Sequence, residues 1–170
     1  MEFLKLAKKR YSVREYTDRQ VEKEKLDKIL KAAQAAPTAC NRQPVHLVVV
    51  QSREGIKKIG KAANLHGAST AVLVCGDRDK AWVRPYDGKQ STDIDASIVT
   101  DHMMLEATDL GLGSLWICSF KPDVLREEFS LPDNLEVINI LALGYAACGP
   151  ADPERHDRLR VPVETMVSWE

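Results

Sequence analysis

The chain has 170 residues, 44% of them hydrophobic and 29% charged, with a formal net charge of −1. That size suits one domain with one substantial core, and the near-neutral charge argues against general nucleic-acid or membrane-surface binding, which calls for a basic excess. No apolar run approaches the ~18 residues of a membrane span, and the opening MEFLKLAKKR interleaves charges with apolar residues where a signal peptide would be continuously apolar, so a cytoplasmic location is expected.

In chain order, Phe3, Leu6, Ala7 and Tyr11 recur at helical spacing with Lys5, Lys8 and Lys9 opposite, which predicts a short amphipathic helix ending near Arg10. The segment VEKEKLDKILKAAQAAP is a stronger helix, with Leu26, Ile29, Leu30 and Ala33 on one face and Pro37 as its stop. VHLVVVQS (45–52) is a β-branched run that reads as a buried strand, REGIKKIGKAAN (53–64) as a helix, and STAVLVCGD (69–77) as a second buried strand. Residues 78–92 form a loop, with turn chemistry at Arg84-Pro85 and Asp87-Gly88.

The helix predicted over 92–110 carries Ile94, Ile98, Val99, Met103, Leu105 and Leu110 around much of its circumference. Asp95, His102, Glu106 and Asp109 are left as a narrow polar stripe. Such a helix is buried on more than one side, which in a small domain predicts a central helix that also faces a partner subunit. Gly111 and Gly113 end it. SLWICSF (114–120) reads as extended, PDVLREEF as a helix with Pro122 in its first turn, and EVINILALG (136–144) as a strand buried on both faces. The tail from Tyr145 lacks helical period and reads as an irregular wrapping segment. Helices separating buried strands make the chain α+β or α/β.

The four cysteines, Cys40, Cys75, Cys118 and Cys148, form no CxxC pair. Neither a zinc site nor a disulfide framework is expected, and the apolar or small neighbours of three of them predict small buried side chains. The histidines form no HxxxH or HExxH, so no metal site is expected.

Three polar clusters stand out. Arg10, Ser12 and Arg14 alternate, so an extended backbone sets two guanidiniums and a hydroxyl on one face. They read as an anion clamp matched to phosphate or as a basic helix end followed by surface arginines. APTACNRQPVH (36–46) puts Thr38, Asn41, Arg42 and Gln43 between Pro37 and Pro44, either as an ordinary helix-to-strand connection or as a cradle for a polar heterocycle. RHDRLRVP holds Arg155, Arg158 and Arg160, either solvated or as the far half of the same clamp. There is no GxxxxGK[ST] and no GxGxxG after a strand.

The ordered set KKRYSVREY, AAPTACNRQPVHLVVV, TDIDASIVTDHMMLEATDLGLGSLWICSF, VINILALGY and RLRVPVETMV resembles the nitroreductase family of FMN-dependent oxidoreductases over almost the whole chain. The resemblance implies one α+β domain over residues 1–170: a central, mostly antiparallel sheet flanked by helices. It also implies a domain-exchanged homodimer in which the tail from about 145 to 170 wraps the partner. It implies that Arg10, Tyr11, Ser12 and Arg14 hold FMN together with Arg158 and Arg160. Pro37, Thr38, Ala39 and Asn41 would meet the flavin from the other subunit, and Trp116 and Ile117 would run beside its ring. Trp82, Arg84 and Tyr86 would wall the substrate pocket. NADH or NADPH would supply hydride and a small acceptor, such as a nitroaromatic or a quinone, would take it in ping-pong order, with no side-chain nucleophile; the same resemblance leaves open a flavin-dependent reduction of another substrate, such as a dehalogenation, or non-catalytic FMN binding or storage. Val45 and Cys118 depart from the usual pattern, where many relatives carry an aromatic residue and a glycine.

Overall fold

β-Branched and aliphatic runs make the sheet, because strands covered on both faces need apolar residues at every position. In the computed structural model, which describes residues 2–170, the strands are β1 (Val45–Val50), β2 (Thr70–Asp77), β3 (Gly113–Ile117) and β4 (Leu135–Gly144). They lie in the order β1-β2-β4-β3 and every neighbouring pair is antiparallel.

Six α-helices surround this sheet among the described residues: α1 (Phe3–Lys9), α2 (Lys23–Ala35), α3 (Arg53–Gly60), α4 (Thr92–Asp109), α5 (Pro122–Glu128) and α6 (Arg155–Leu159). One face buries Leu73, Cys75, Leu115 and Ile140 against Ile59 of α3 and Leu125 of α5. The other buries Val72, Val74, Leu141 and Leu143 against Leu26 and Ile29 of α2 and Val99 and Met103 of α4. None of the described helices is long and apolar enough to cross a membrane.

The central pairing contains a bulge. Val74 faces Asn139 and Cys75 faces Val137, so Ile138 is the extra residue. One added residue reverses the alternation of a strand, which is why Val137 and Ile140 both join the α3–α5 core. Asn139 beside the bulge is fully buried. Its amide donates to Thr100 Oγ1 at 3.0 Å, satisfying a polar group inside the core and tying α4 to the sheet.

Several sequence expectations need correction. The helix read over 53–64 stops at Gly60. The tail is not wholly irregular: it contains α6 and a 3-10 turn, Val163–Thr165. Five helical residues are too few to show a period, and contacts to the end of α1 hold them. Only Cys75 is a buried thiol; Cys40, Cys118 and Cys148 are exposed because each lies outside a buried stretch of strand or helix. The polar stripe of α4 is also misread. Asp95 is buried, whereas the apolar Ile94 is 52% exposed in the single chain.

Candidate functional site

The end of α1 sets the first half of the site. Arg10 is its C-cap, with extended backbone (φ −60°, ψ 131°), so the chain leaves the helix as a strand-like segment. That segment covers the open edge of β3: Ser12 bridges Ser114 in parallel fashion, and the Val13 N–H donates to Ser114 O at 3.0 Å. Val13 is fully buried while Ser12 and Arg14 face solvent. The approach is close: a Cβ added at Gly113 would stand 2.7 Å from Val13 Cγ2. Trp116 and Ile117 lie on the same strand, Trp116 half-buried on the α2–α4 side and Ile117 buried on the other.

The tail supplies the second half. Arg155, half-buried, donates from Nη1 to Lys8 O (3.1 Å) and Asp152 O (2.9 Å), and from Nη2 to Arg10 O (2.6 Å). His156 Nε2–H donates to the same Lys8 carbonyl at 3.2 Å. These bonds satisfy carbonyls that a helix end leaves without partners. They bring Arg155 against Arg10 and Arg160 near enough for its charge to act there. Burial foremost, then these two guanidiniums, lower the Arg10 pKa from its usual value, and Asp101 of α4 opposes them. Among the described residues, no carboxylate lies within 4.0 Å of Arg10, Arg14, Arg155 or Arg160. Arg158 differs, because its Nη2 donates to Asp152 Oδ2 at 2.7 Å. The result is a crowded cation cluster, an arrangement that an anion would relieve.

Tyr11 is half-buried, and its hydroxyl points at Gly149 O at a long 3.4 Å. A cleft of about 290 Å³ opens beside Arg10 and Tyr11, lined also by Thr108, Tyr145 and Cys148.

The 36–43 loop lies at the other end of α4. Ala39 N–H donates to Asp95 Oδ1 at 2.8 Å, and Gln43 N–H donates to Thr38 Oγ1 at 3.0 Å. Pro37 and Asn41 are exposed; Thr38 and Ala39 are half-buried. Thr38 and Gln43 help line a separate cleft of about 210 Å³ with Leu30, Val45, Leu47 and Val99. The two clefts share no residue, so one protomer does not bring this loop and the arginine cluster into a common cleft.

The 82–86 segment closes on itself. Arg84 Nε donates to Asp87 Oδ1 at 2.7 Å, Tyr86 is 93% exposed, and Trp82 is half-buried. The Ser91 N–H donates to Trp82 O at 2.9 Å, placing this loop at the same end of α4 as residues 36–43.

Two residues carry more of this geometry than the sequence indicated. Arg155 stood in a cluster whose alternating pair, Arg158 and Arg160, drew the attention, and its carbonyl contacts have no sequence signature. Asp95 had one weak signal, an acidic residue four positions after Ser91 in the first turn of α4.

The Nitroreductase family model matches residues 7–70 and 61–145. A solved nitroreductase family protein from Clostridium difficile 630 is 64% identical with a TM-score of 0.98, over 100% of this chain and 99% of its own. A solved FMN-dependent nitroreductase from Clostridium difficile R20291 is 30% identical with a TM-score of 0.76, over 94% of this chain and 98% of its own. A protein from Archaeoglobus fulgidus, named as a candidate NADH dehydrogenase/NAD(P)H nitroreductase, is 40% identical over 152 residues, 85% of each chain. With matches that span most of its length, and a fold shared over nearly all of it, the chain belongs to the nitroreductase family.

Proposed function

We propose that this protein is an FMN-dependent oxidoreductase that takes electrons from NADH or NADPH and passes them to a nitroaromatic, a quinone or a related small acceptor. The observation that carries this reading is the cluster formed where Arg155 donates to the Arg10 carbonyl: burial first, then the charges of Arg155 and Arg160, lower the Arg10 pKa, with Asp101 in opposition. The donor set fits a phosphomonoester: guanidinium forks match phosphate oxygens, and the Ser12 hydroxyl shares their face.

FMN, when bound, supplies the hydride chemistry. The chain supplies position and charge. Arg10 and Arg160 would grip the phosphate, with Ser12 and Arg14 extending the contact along the cofactor. Arg158, held by Asp152, would add charge at longer range. Pro37, Thr38, Ala39 and Asn41 would meet the flavin, and the β3 backbone at Trp116 and Ile117 would run beside it. Trp82, Arg84 and Tyr86 would limit what reaches it. Donor and acceptor would use one open face in turn, which gives ping-pong kinetics.

The working unit is read as a homodimer. The arginine cluster and the 36–43 loop do not share a cleft in one chain, and two copies would join them. Supporting this, Ile94 on α4 and Leu159, Val161, Val163, Met166 and Trp169 in the tail are apolar and exposed, Trp169 at 93%. Large apolar side chains left exposed on a single chain favour an interface.

The test is direct. Purified protein is expected to be yellow with an FMN absorbance spectrum, and to oxidise NADH or NADPH when given a quinone. Protein that remains colourless and takes up no added FMN would refute the reading.

A further inference from the structure

The 38–43 loop is held in a conformation its residues resist. Cys40, Asn41 and Gln43 have φ of 49°, 52° and 50°, the left-handed region that non-glycine residues enter at a cost. Such strain persists where surroundings over-determine it. Here the surrounding group is Asp95, only 1% exposed. Its Oδ1 accepts the Ala39 N–H at 2.8 Å, and its Oδ2 accepts the Ser91 hydroxyl at 2.7 Å.

Ser91 is the N-cap of α4, where a serine hydroxyl ordinarily accepts a first-turn N–H. It makes no such bond, and its hydroxyl is turned to Asp95 instead. Through its own N–H, Ser91 also holds Trp82 O at 2.9 Å. One buried carboxylate therefore joins two loops. On one side is the strained 38–43 loop, and on the other is the segment that leads to Trp82, Arg84 and Tyr86.

We propose that Asp95 is the positioning residue that sets the 38–43 loop against the 82–91 segment, so that the flavin-contacting loop and the acceptor wall keep one relative placement. The proposal rests on the flavin reading of that loop. It differs from a general stabilising role in being local: the loop should loosen while the sheet does not.

The experiment compares wild type, Asp95→Ala, Asp95→Asn and Ser91→Ala, first without cofactor, by amide hydrogen exchange. Asp95→Ala is expected to speed exchange at Ala39, Asn41 and Gln43 by about tenfold or more, leaving Val72 and Leu141 unchanged. Asp95→Asn should restore most of the protection, since its amide oxygen accepts the Ala39 N–H and its NH2 donates to Ser91. Ser91→Ala, which removes one of the two contacts, should give an intermediate increase of roughly threefold and serves if Asp95→Ala does not fold. FMN titration should then show Asp95→Ala about tenfold weaker, with KM for the acceptor raised more than kcat is lowered.

Unchanged exchange at Ala39, equal acceleration at Val72 and Leu141, or wild-type FMN affinity in Asp95→Ala would overturn the proposal. If wild type itself binds no FMN, the flavin reading falls, while the exchange data still decide whether Asp95 holds the loop.

Discussion

At the scale of single residues, two guanidiniums that look alike in sequence have different surroundings. The charge of Arg160 acts on Arg10, and among the described residues Arg160 has no carboxylate partner, while Arg158 is committed to Asp152. Arg10→Ala and Arg160→Ala are each expected to weaken FMN by about 1.5–3 kcal/mol, the worth of a hydrogen bond to a charged group, and Arg158→Ala by much less. Fluorescence titration of FMN checks this, and equal losses at Arg158 and Arg160 would contradict it. Cys75 gives a pH prediction. Burial pushes its thiol from 9.0 up to about 11. Between those values the unfolded chain releases the proton and the folded chain keeps it, so stability falls as pH rises through that window. Urea midpoints from pH 8 to 11 should therefore drop more steeply in wild type than in Cys75→Ala.

At the scale of elements, the placement of the N-terminal segment depends on a missing side chain. Gly113→Ala would press a Cβ to 2.7 Å from Val13 Cγ2. The segment must then lift from the edge of β3, at a cost of about 1–3 kcal/mol. Urea denaturation should show the loss, and FMN binding should weaken with it because Ser12 and Arg14 move too. This is also the scale at which sequence reading succeeds or fails. The strands at 45–50, 70–77 and 135–144 were legible as short, continuous apolar runs, and the helices at 23–35 and 92–109 by the length and spacing of their apolar residues, because burial leaves its mark in the residues themselves. The bulge at Ile138 was not, since its evidence is a slip against β2, not a property of β4 alone. Nor was α6, whose support comes from Lys8 and Arg10 far away in the chain. The candidate site divides the same way. Arg10, Ser12 and Arg14 show in their alternation, whereas the Asp95–Ala39 bond spans 56 positions and exists only once α4 is packed.

At the scale of the whole molecule, a chain of 19.0 kDa leaves apolar residues of α4 and of the tail uncovered. Sedimentation equilibrium is expected to give a mass of two chains. Removing residues 161–170 should shift the protein toward monomer and lower its FMN content together, since the interface and the cofactor site are read as one structure. Loss of the dimer with full retention of flavin would separate them.

The Arg155 clamp also bears on the order in which the molecule is built. Its bond to the Arg10 carbonyl joins positions 145 apart. Contacts of such separation carry a large loop-closure cost before they return anything. The antiparallel pairs β1–β2 and β3–β4, each joined through one short helix, close much smaller loops, so the arginine cluster is expected to assemble on a sheet already formed. Refolding followed by tryptophan fluorescence should proceed at the same rate with or without FMN, with cofactor uptake as a separate, later phase.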